Sequence, residues 1–321
     1  MSPRRRAGRK LFSALLPIAL VIVLAVVGLA AWLVRGTTRP PRRPYLVTPE
    51  KFAQLSDRGL GATEEHWPNR DGTEARGWLL RGAEGAPAVI LLHGYGADRS
   101  WLLNLGVKIN ETTNLTVLLP DLRGHGPEPP VAATSFGVLE AADALSALEY
   151  LRSLKSNGGG QLTSDAFGVY GVEEGAYAAL LAARSDSRVR ALALDSVPDE
   201  PDTVLRRAVA DTAGFDNAAV NLLTRLATRI YFTGDYRNEP ACSAAETLGD
   251  RQVLLLSGDD AGPLRHTTET LVRCFPAQAR PEVHTGLAVT GTALASASPE
   301  QGEAYDRRVI DFFDRTLRAS R

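Results

Sequence analysis

Five short apolar runs, Ala88–Leu92, Thr116–Leu119, Phe167–Tyr170, Ala191–Leu194 and Val253–Leu256, constrain this chain more than any other feature. Segments with helical spacing separate them, and that alternation is the mark of βαβ units feeding one mostly parallel sheet. The clearest helix runs from Phe136 to Leu154, with Leu139, Ala142, Leu145, Ala147, Leu148 and Leu151 along one face. Asn157-Gly158-Gly159-Gly160 ends it. Earlier, Thr63–Trp67 and Arg76–Leu80 flank Asn69-Arg70-Asp71-Gly72, whose Asp-Gly supplies the positive φ of a tight turn, so the sheet begins with an antiparallel pair. In such sheets ligands sit outside the carboxyl ends of the strands, and chemistry is expected in the residues just after each apolar run.

The amino terminus obeys different rules. Arg4, Arg5, Arg6, Arg9 and Lys10 precede an uncharged run from Leu11 to Val34, and about 20 apolar residues suffice to span a bilayer. A cleaved signal peptide has a shorter apolar region, about 7 to 15 residues, and a small-residue cleavage site. Here the run ends Trp32-Leu33-Val34-Arg35, which suits a membrane anchor with an interfacial tryptophan. The chain therefore divides into a basic tail (1–10), an anchor (11–34), a linker (35–44) whose Thr-Thr-Arg-Pro-Pro-Arg-Arg-Pro is stiff and extended, and a body (45–321). Arg35, Arg39, Arg42 and Arg43 balance the basic tail, so charge alone leaves the orientation open. Cys242 and Cys274 can pair if the body lies in an oxidising compartment, and an extracytoplasmic body is the expectation.

Three stretches stand where the sheet places chemistry. His93-Gly94-Tyr95-Gly96 follows the first parallel run, Pro120-Asp121-Leu122-Arg123-Gly124-His125-Gly126 follows the second, and Gly171-Val172-Glu173-Glu174-Gly175 follows the third. Together they resemble the α/β-hydrolase superfamily, above all single-domain bacterial hydrolases related to serine aminopeptidases and monoacylglycerol lipases. The likeness runs from about Tyr45 to the closing helix Tyr305–Leu317. It implies an α/β-hydrolase fold, a mostly parallel eight-stranded sheet with helices on both faces, here preceded by one transmembrane helix.

The resemblance also implies a site, and this sequence departs from it. Gly-x-Ser-x-Gly is a strained turn that lifts the serine hydroxyl above the sheet; here the nucleophile position is Glu173, between Gly171 and Gly175. Backbone amides of Tyr95, after His93-Gly94, and of Glu174 take the oxyanion-hole positions. The acid falls in Gly258-Asp259-Asp260-Ala261, where counting from Gly258 reaches Ala261 and counting back from the next helix favours Asp260. The base belongs in Gly286-Leu287-Ala288-Val289-Thr290-Gly291, and Val289 holds its place. Valine transfers no proton. His284 is the alternative base if the register slips, and His93 and His125 are expected to orient loops through backbone hydrogen bonds. A carboxylate gains from a helix N-terminus, so the Glu173 side chain is expected to fold onto the Tyr95 and Glu174 amides and plug the hole. Between Ser196 and Cys242, Val204–Val209 and Val220–Ile230 have helical spacing; these helices either cap the site, within 197–240, or pack on the sheet.

Composition excludes several functions. Lys plus Arg total 36 against 37 Asp plus Glu, a net charge of −1, and the body has no basic stripe, so nucleic acid is not an expected partner. The two cysteines and five histidines lack metal-ligand spacing, and neither Gly-x-Gly-x-x-Gly nor a P-loop follows a strand, so neither metal nor cofactor is expected. The leading expectation is a membrane-anchored hydrolase fold whose triad is lost and which binds a small-molecule ligand or a protein partner. The alternatives are a working ester or amide hydrolase using Glu173 with Asp260 or His284, and a structural component of a membrane assembly.

Overall fold

The computed structural model describes residues 3–55, 60–279 and 281–318, with the backbone alone for 3–14; the side chains of the basic tail fall outside what is described. Eight strands form one sheet: β1 (Ala62–Pro68), β2 (Glu74–Leu80), β3 (Ala86–Leu92), β4 (Thr116–Pro120), β5 (Thr163–Val172), β6 (Val189–Asp195), β7 (Gln252–Gly258) and β8 (Glu282–Leu287). Their order is β1-β2-β4-β3-β5-β6-β7-β8, antiparallel through β1, β2 and β4 and parallel from β4 onwards. Gly72, at φ +80°, makes the turn between β1 and β2. The helices are α1 (Pro3–Thr38), α2 (Pro49–Leu55), α3 (Leu103–Thr113), α4 (Val138–Ser153), α5 (Glu174–Ser185), α6 (Pro201–Ala213), α7 (Ala218–Tyr231), α8 (Ala241–Ala245), α9 (Pro263–Leu271) and α10 (Pro299–Arg318). This is the α/β-hydrolase fold.

Period-two alternation divides the core between the two faces of the sheet. Ala88, Ile90 and Leu92 of β3 pack with α4, α5 and α8, whereas Val89 and Leu91 pack with α3 and α10. The five runs read from the sequence are buried on both faces, which is why they carry no charged residues. On the second face Tyr305, Val309, Phe313 and Leu317 of α10 are buried, and burying each such side chain contributes about 1.5–3 kcal/mol. Phe313 lies against Gly168 so closely that a Cβ there would come within 2.7 Å of its ring.

The amino-terminal helix is long and apolar enough over Leu15–Thr38 to cross a membrane, with Leu15 to Val27 exposed along it. It does not end at Val34. Residues 35–38, expected in an extended linker, continue α1, and Leu33, Val34, Thr37 and Thr38 are buried against α6 and α7. The body supplies the reason. The last carbonyls of a helix lack intrahelical donors, and here the Tyr95 hydroxyl donates to Thr37 O at 2.7 Å and the Thr134 amide to Thr38 O at 2.9 Å. Only from Arg39 does the chain run extended, so the body is seated directly on the end of α1.

Candidate functional site

The elbow forms as the glycine pattern demands. A Cβ on Gly171 would lie 2.3 Å from Gly175 O, and one on Gly175 would lie 2.4 Å from Leu92 O, so the turn exists only with glycine at both places. Between them Glu173 takes φ 47°, ψ −111°, a conformation that costs a non-glycine residue about 1–3 kcal/mol. Its amide donates to Asp195 O and its carbonyl accepts from Tyr177, both at 3.0 Å, and these bonds hold the strained residue between β5 and α5.

Glu173 does not plug the oxyanion hole. Its Oε1 is bound by Arg207 Nη1 of α6 at 2.5 Å, and its side chain, 8% exposed, leans past Gly94 instead of capping α5. The expected fold onto the Tyr95 and Glu174 amides is therefore corrected. An arginine offers a full charge and a directed N–H, and outcompetes two amides that carry only partial charges. Burial raises the Glu173 pKa above the usual glutamate value and Arg207 only partly opposes it. Arg207 went unread because helical periodicity marks α6 without saying where it lies.

Glu174 is fully buried. Thr134 Oγ1 faces both it and Glu140, whose carboxylate also accepts from the Ser135 and Gly137 amides at 2.9 and 2.8 Å. Burial, reinforced by the Glu140 charge, drives the Glu174 pKa far upward.

Neither loop histidine is free to move a proton. His93 Nδ1 donates to Gly94 O at 2.9 Å while Nε2 accepts from Leu122 N at 3.0 Å. His125 Nδ1 donates to Arg123 O at 2.9 Å while Nε2 accepts from Gly96 N at 3.0 Å. Both rings are thereby fixed as neutral. Burial pushes the His125 pKa down to about 3 and lowers that of His93. The neighbouring motif is equally committed, with Asp121 ion-paired to Arg76 and Arg99 at 3.2 and 3.4 Å, and Arg123 to Asp143 and Asp71.

Between the loops after β7 and β8, Asp260 accepts from the amide and the hydroxyl of Thr290, both at 3.0 Å, and the Thr290 hydroxyl meets that of Thr292 at 2.6 Å. Val289 is buried, and from its loop Gly291 and Thr292 line the cavity beside the elbow. Neither Val289 nor these two residues carries a proton-transferring base. His284 is exposed in β8, paired with Leu256, away from the loop.

A buried acid was missed. Asp195, the last residue of β6, accepts from Gly291 N at 2.6 Å, from Ser196 Oγ at 2.7 Å and from the Tyr305 hydroxyl, which also meets Tyr170. Burial pushes its pKa up to about 6. The signal was present, since Asp195 directly follows an apolar run.

Beside the elbow lies a cavity of about 160 Å³ whose wall includes Arg43, Tyr95, Trp101, Glu173, Arg207 and Thr292. That is small beside the 300–1,000 Å³ of typical ligand sites. α6 and Tyr236 pack with Phe136 and Tyr95, and Arg207 of α6 reaches the cavity. Among the described residues no group of His, Cys, Asp or Glu could hold a metal ion. Cys242 and Cys274 are disulfide-bonded, Cα to Cα 5.2 Å, joining α8 to the turn after α9.

An eight-stranded sheet of this order with a glycine-flanked elbow after β5 defines an α/β-hydrolase. The chain belongs to the alpha/beta hydrolase family, whose model matches residues 89–316. Among solved structures it is similar to an esterase from Pyrococcus furiosus, with TM-score 0.63 and 18% identity over 87% of this chain and 98% of that one. It is also similar to an alpha/beta hydrolase from a Penicillium species (TM-score 0.59, 17% identity, 80% of this chain and 99% of that one) and to a dienelactone hydrolase from Anabaena variabilis (0.53, 17%, 80% and 99%). At these identities the likeness is one of fold. No curated protein matches the sequence.

Proposed function

We propose that this chain is a membrane-anchored α/β-hydrolase-fold protein that has lost its inherited reaction and uses the elbow cavity to bind a ligand or partner. One observation carries the reading: the residue at the nucleophile position is a carboxylate bound to Arg207, and among the described residues no free histidine lines the cavity beside it. A Glu173 ester, were one formed, needs an activated water for release. His93 and His125, with both ring nitrogens bonded to backbone, offer no base for that water. Loss of a triad serine or histidine costs on the order of 10⁶ in kcat where it has been measured.

α1 serves as the anchor, and the Cys242–Cys274 bond supports a body outside the cytoplasm, where disulfides persist. The test is turnover of a panel of p-nitrophenyl esters by the full chain, with Glu173→Ala as control. No turnover above the control is expected. Activity that disappears with Glu173→Ala would overturn the reading.

A further inference from the structure

The helix α7 is built inside out for a protein surrounded by water. Its threonines, Thr224 and Thr228, are fully buried, whereas Leu222 and Leu226 are each 48% exposed and Ile230 is 77% exposed. Leu222, Leu226 and Ile230 recur every four residues along one outward face, and Phe215 just before the helix and Tyr231 at its end are exposed as well. We propose that this face of α7 lies in the headgroup region of the bilayer that α1 enters. The inference rests on the reading of α1 as an anchor, and it commits to lipid as the occupant.

Continuity argues for lipid. α1 packs against α6 and α7 through its last turns, where Leu33 and Val34 are buried, while Leu29 and Trp32 just before them are exposed. Gly36 of α1 touches Thr212 of α6 so closely that a Cβ would lie 2.5 Å from that side chain. A span needs about 20 apolar residues, and counted from Leu11 that length ends within one turn of the contact. The bilayer surface therefore meets α1 where α7 meets it, and the outward stripe of α7 faces the same medium as Trp32.

Charge agrees with this placement. Arg35, Arg42 and Arg43 at the exit of α1, and Arg229 on α7, are exposed and suited to anionic headgroups. An amphipathic helix held this way buries its apolar face about 5–10 Å into the headgroup boundary. Because α7 packs on α6, which carries Arg207, the bilayer would fix the cap over Glu173.

The native cysteines are bonded to each other, so a single introduced cysteine takes a thiol label alone. The full chain, in phosphatidylcholine–phosphatidylglycerol vesicles, is labelled with a nitrobenzoxadiazole fluorophore at Leu226→Cys, at Leu24→Cys in the span, or at Asp165→Cys on the far end of the body. Lipids carrying a nitroxide near the headgroup or deep in the acyl chain then quench the label. Expected is deep quenching at Leu24→Cys and shallow quenching at Leu226→Cys roughly twofold or more above Asp165→Cys, given the depth of an interfacial face. Quenching at Leu24→Cys with Leu226→Cys at the control level overturns the lipid face and leaves the anchor standing. No quenching at Leu24→Cys overturns the anchor reading and this inference together. If the Leu226→Cys label escapes lipid and the unlabelled variant cross-links between copies, the face belongs to a second chain and the inference is overturned.

Discussion

Replacing Arg207 with alanine isolates the electrostatics of the elbow. The pair lies at 2.5 Å, with Glu173 buried and the Arg207 side chain 62% exposed. Two charges about 4 Å apart attract by about 4 kcal/mol at an effective dielectric of 20 and about 1 kcal/mol in water. Exposure of Arg207 moves the pair towards the second value, since exposed pairs are worth about 0–1 kcal/mol. Burial of Glu173 moves it back, because a stranded buried carboxylate is costly. The carboxylate can also escape by taking up a proton, at about 1.4 kcal/mol per pH unit between its pKa and the solvent. Together these set a loss of about 1–2 kcal/mol at pH 8.

The sign of the pH dependence is the sharper test. Glu173 already titrates above the normal glutamate value, so its contribution is greatest below the unfolded pKa and declines as pH rises. Arg207→Ala raises that pKa further and steepens the decline. The deficit against wild type should therefore shrink towards zero at pH 5 and grow to pH 8. Denaturant unfolding of the detergent-solubilised chain, followed by tryptophan fluorescence, measures it. In a Glu173→Gln background, which lacks the titrating group, the Arg207→Ala deficit should be nearly flat across the same window. A deficit of Arg207→Ala that is equal at pH 5 and pH 8 would refute the assignment of Arg207 as the counter-ion.

Other outcomes follow from other contacts. Gly175→Ala puts a Cβ 2.4 Å from Leu92 O and should cost about 3 kcal/mol or more, or abolish folding, because both clashing groups are backbone; expression and thermal unfolding read it. The Asp195 carboxyl, with its pKa raised to about 6, adds stability at low pH that is lost as pH rises from about 4 through 6, a contribution of about 3 kcal/mol for a shift of that size. Asp195→Asn should flatten that part of the pH–stability curve while costing about 1–3 kcal/mol through a misplaced amide donor facing Gly291 N. Reducing the Cys242–Cys274 bond, which closes a separation of 32 residues, should lower stability by about 3–4 kcal/mol in the loop-entropy account, seen as a lower unfolding midpoint in dithiothreitol.

The sheet could be read from the chain because strand signals are local. A buried parallel strand must be apolar on both faces, and Ala88–Leu92 or Val253–Leu256 announce that whatever surrounds them. The elbow was legible for the same reason, since Gly171 and Gly175 answer to backbone contacts within one turn and to the neighbouring strand. The site was legible only in outline. Asp260 meets Thr290 of the loop after β8, but an irregular loop has no period from which to count, and the residues of that loop that line the cavity are Gly291 and Thr292. Asp195 stands outside that outline, because the family pattern places the acid after the next strand.

What the sequence determined by itself was the order of elements, the strained turn at Glu173, the absence of a serine there and the apolar length of α1, all consequences of chemistry within a few residues. What only the tertiary structure decided was the partner of each charge and the face of each helix. Arg207 lies on a helix whose pattern names an apolar side but no destination, and the packing of α6 over the strand ends brings it to Glu173 in place of the expected amides. The end of α1 likewise reads as a linker until Tyr95 and Thr134 are found donating to its last carbonyls. Long-range electrostatics and helix capping depend on where surfaces meet, and that meeting is a property of the folded chain.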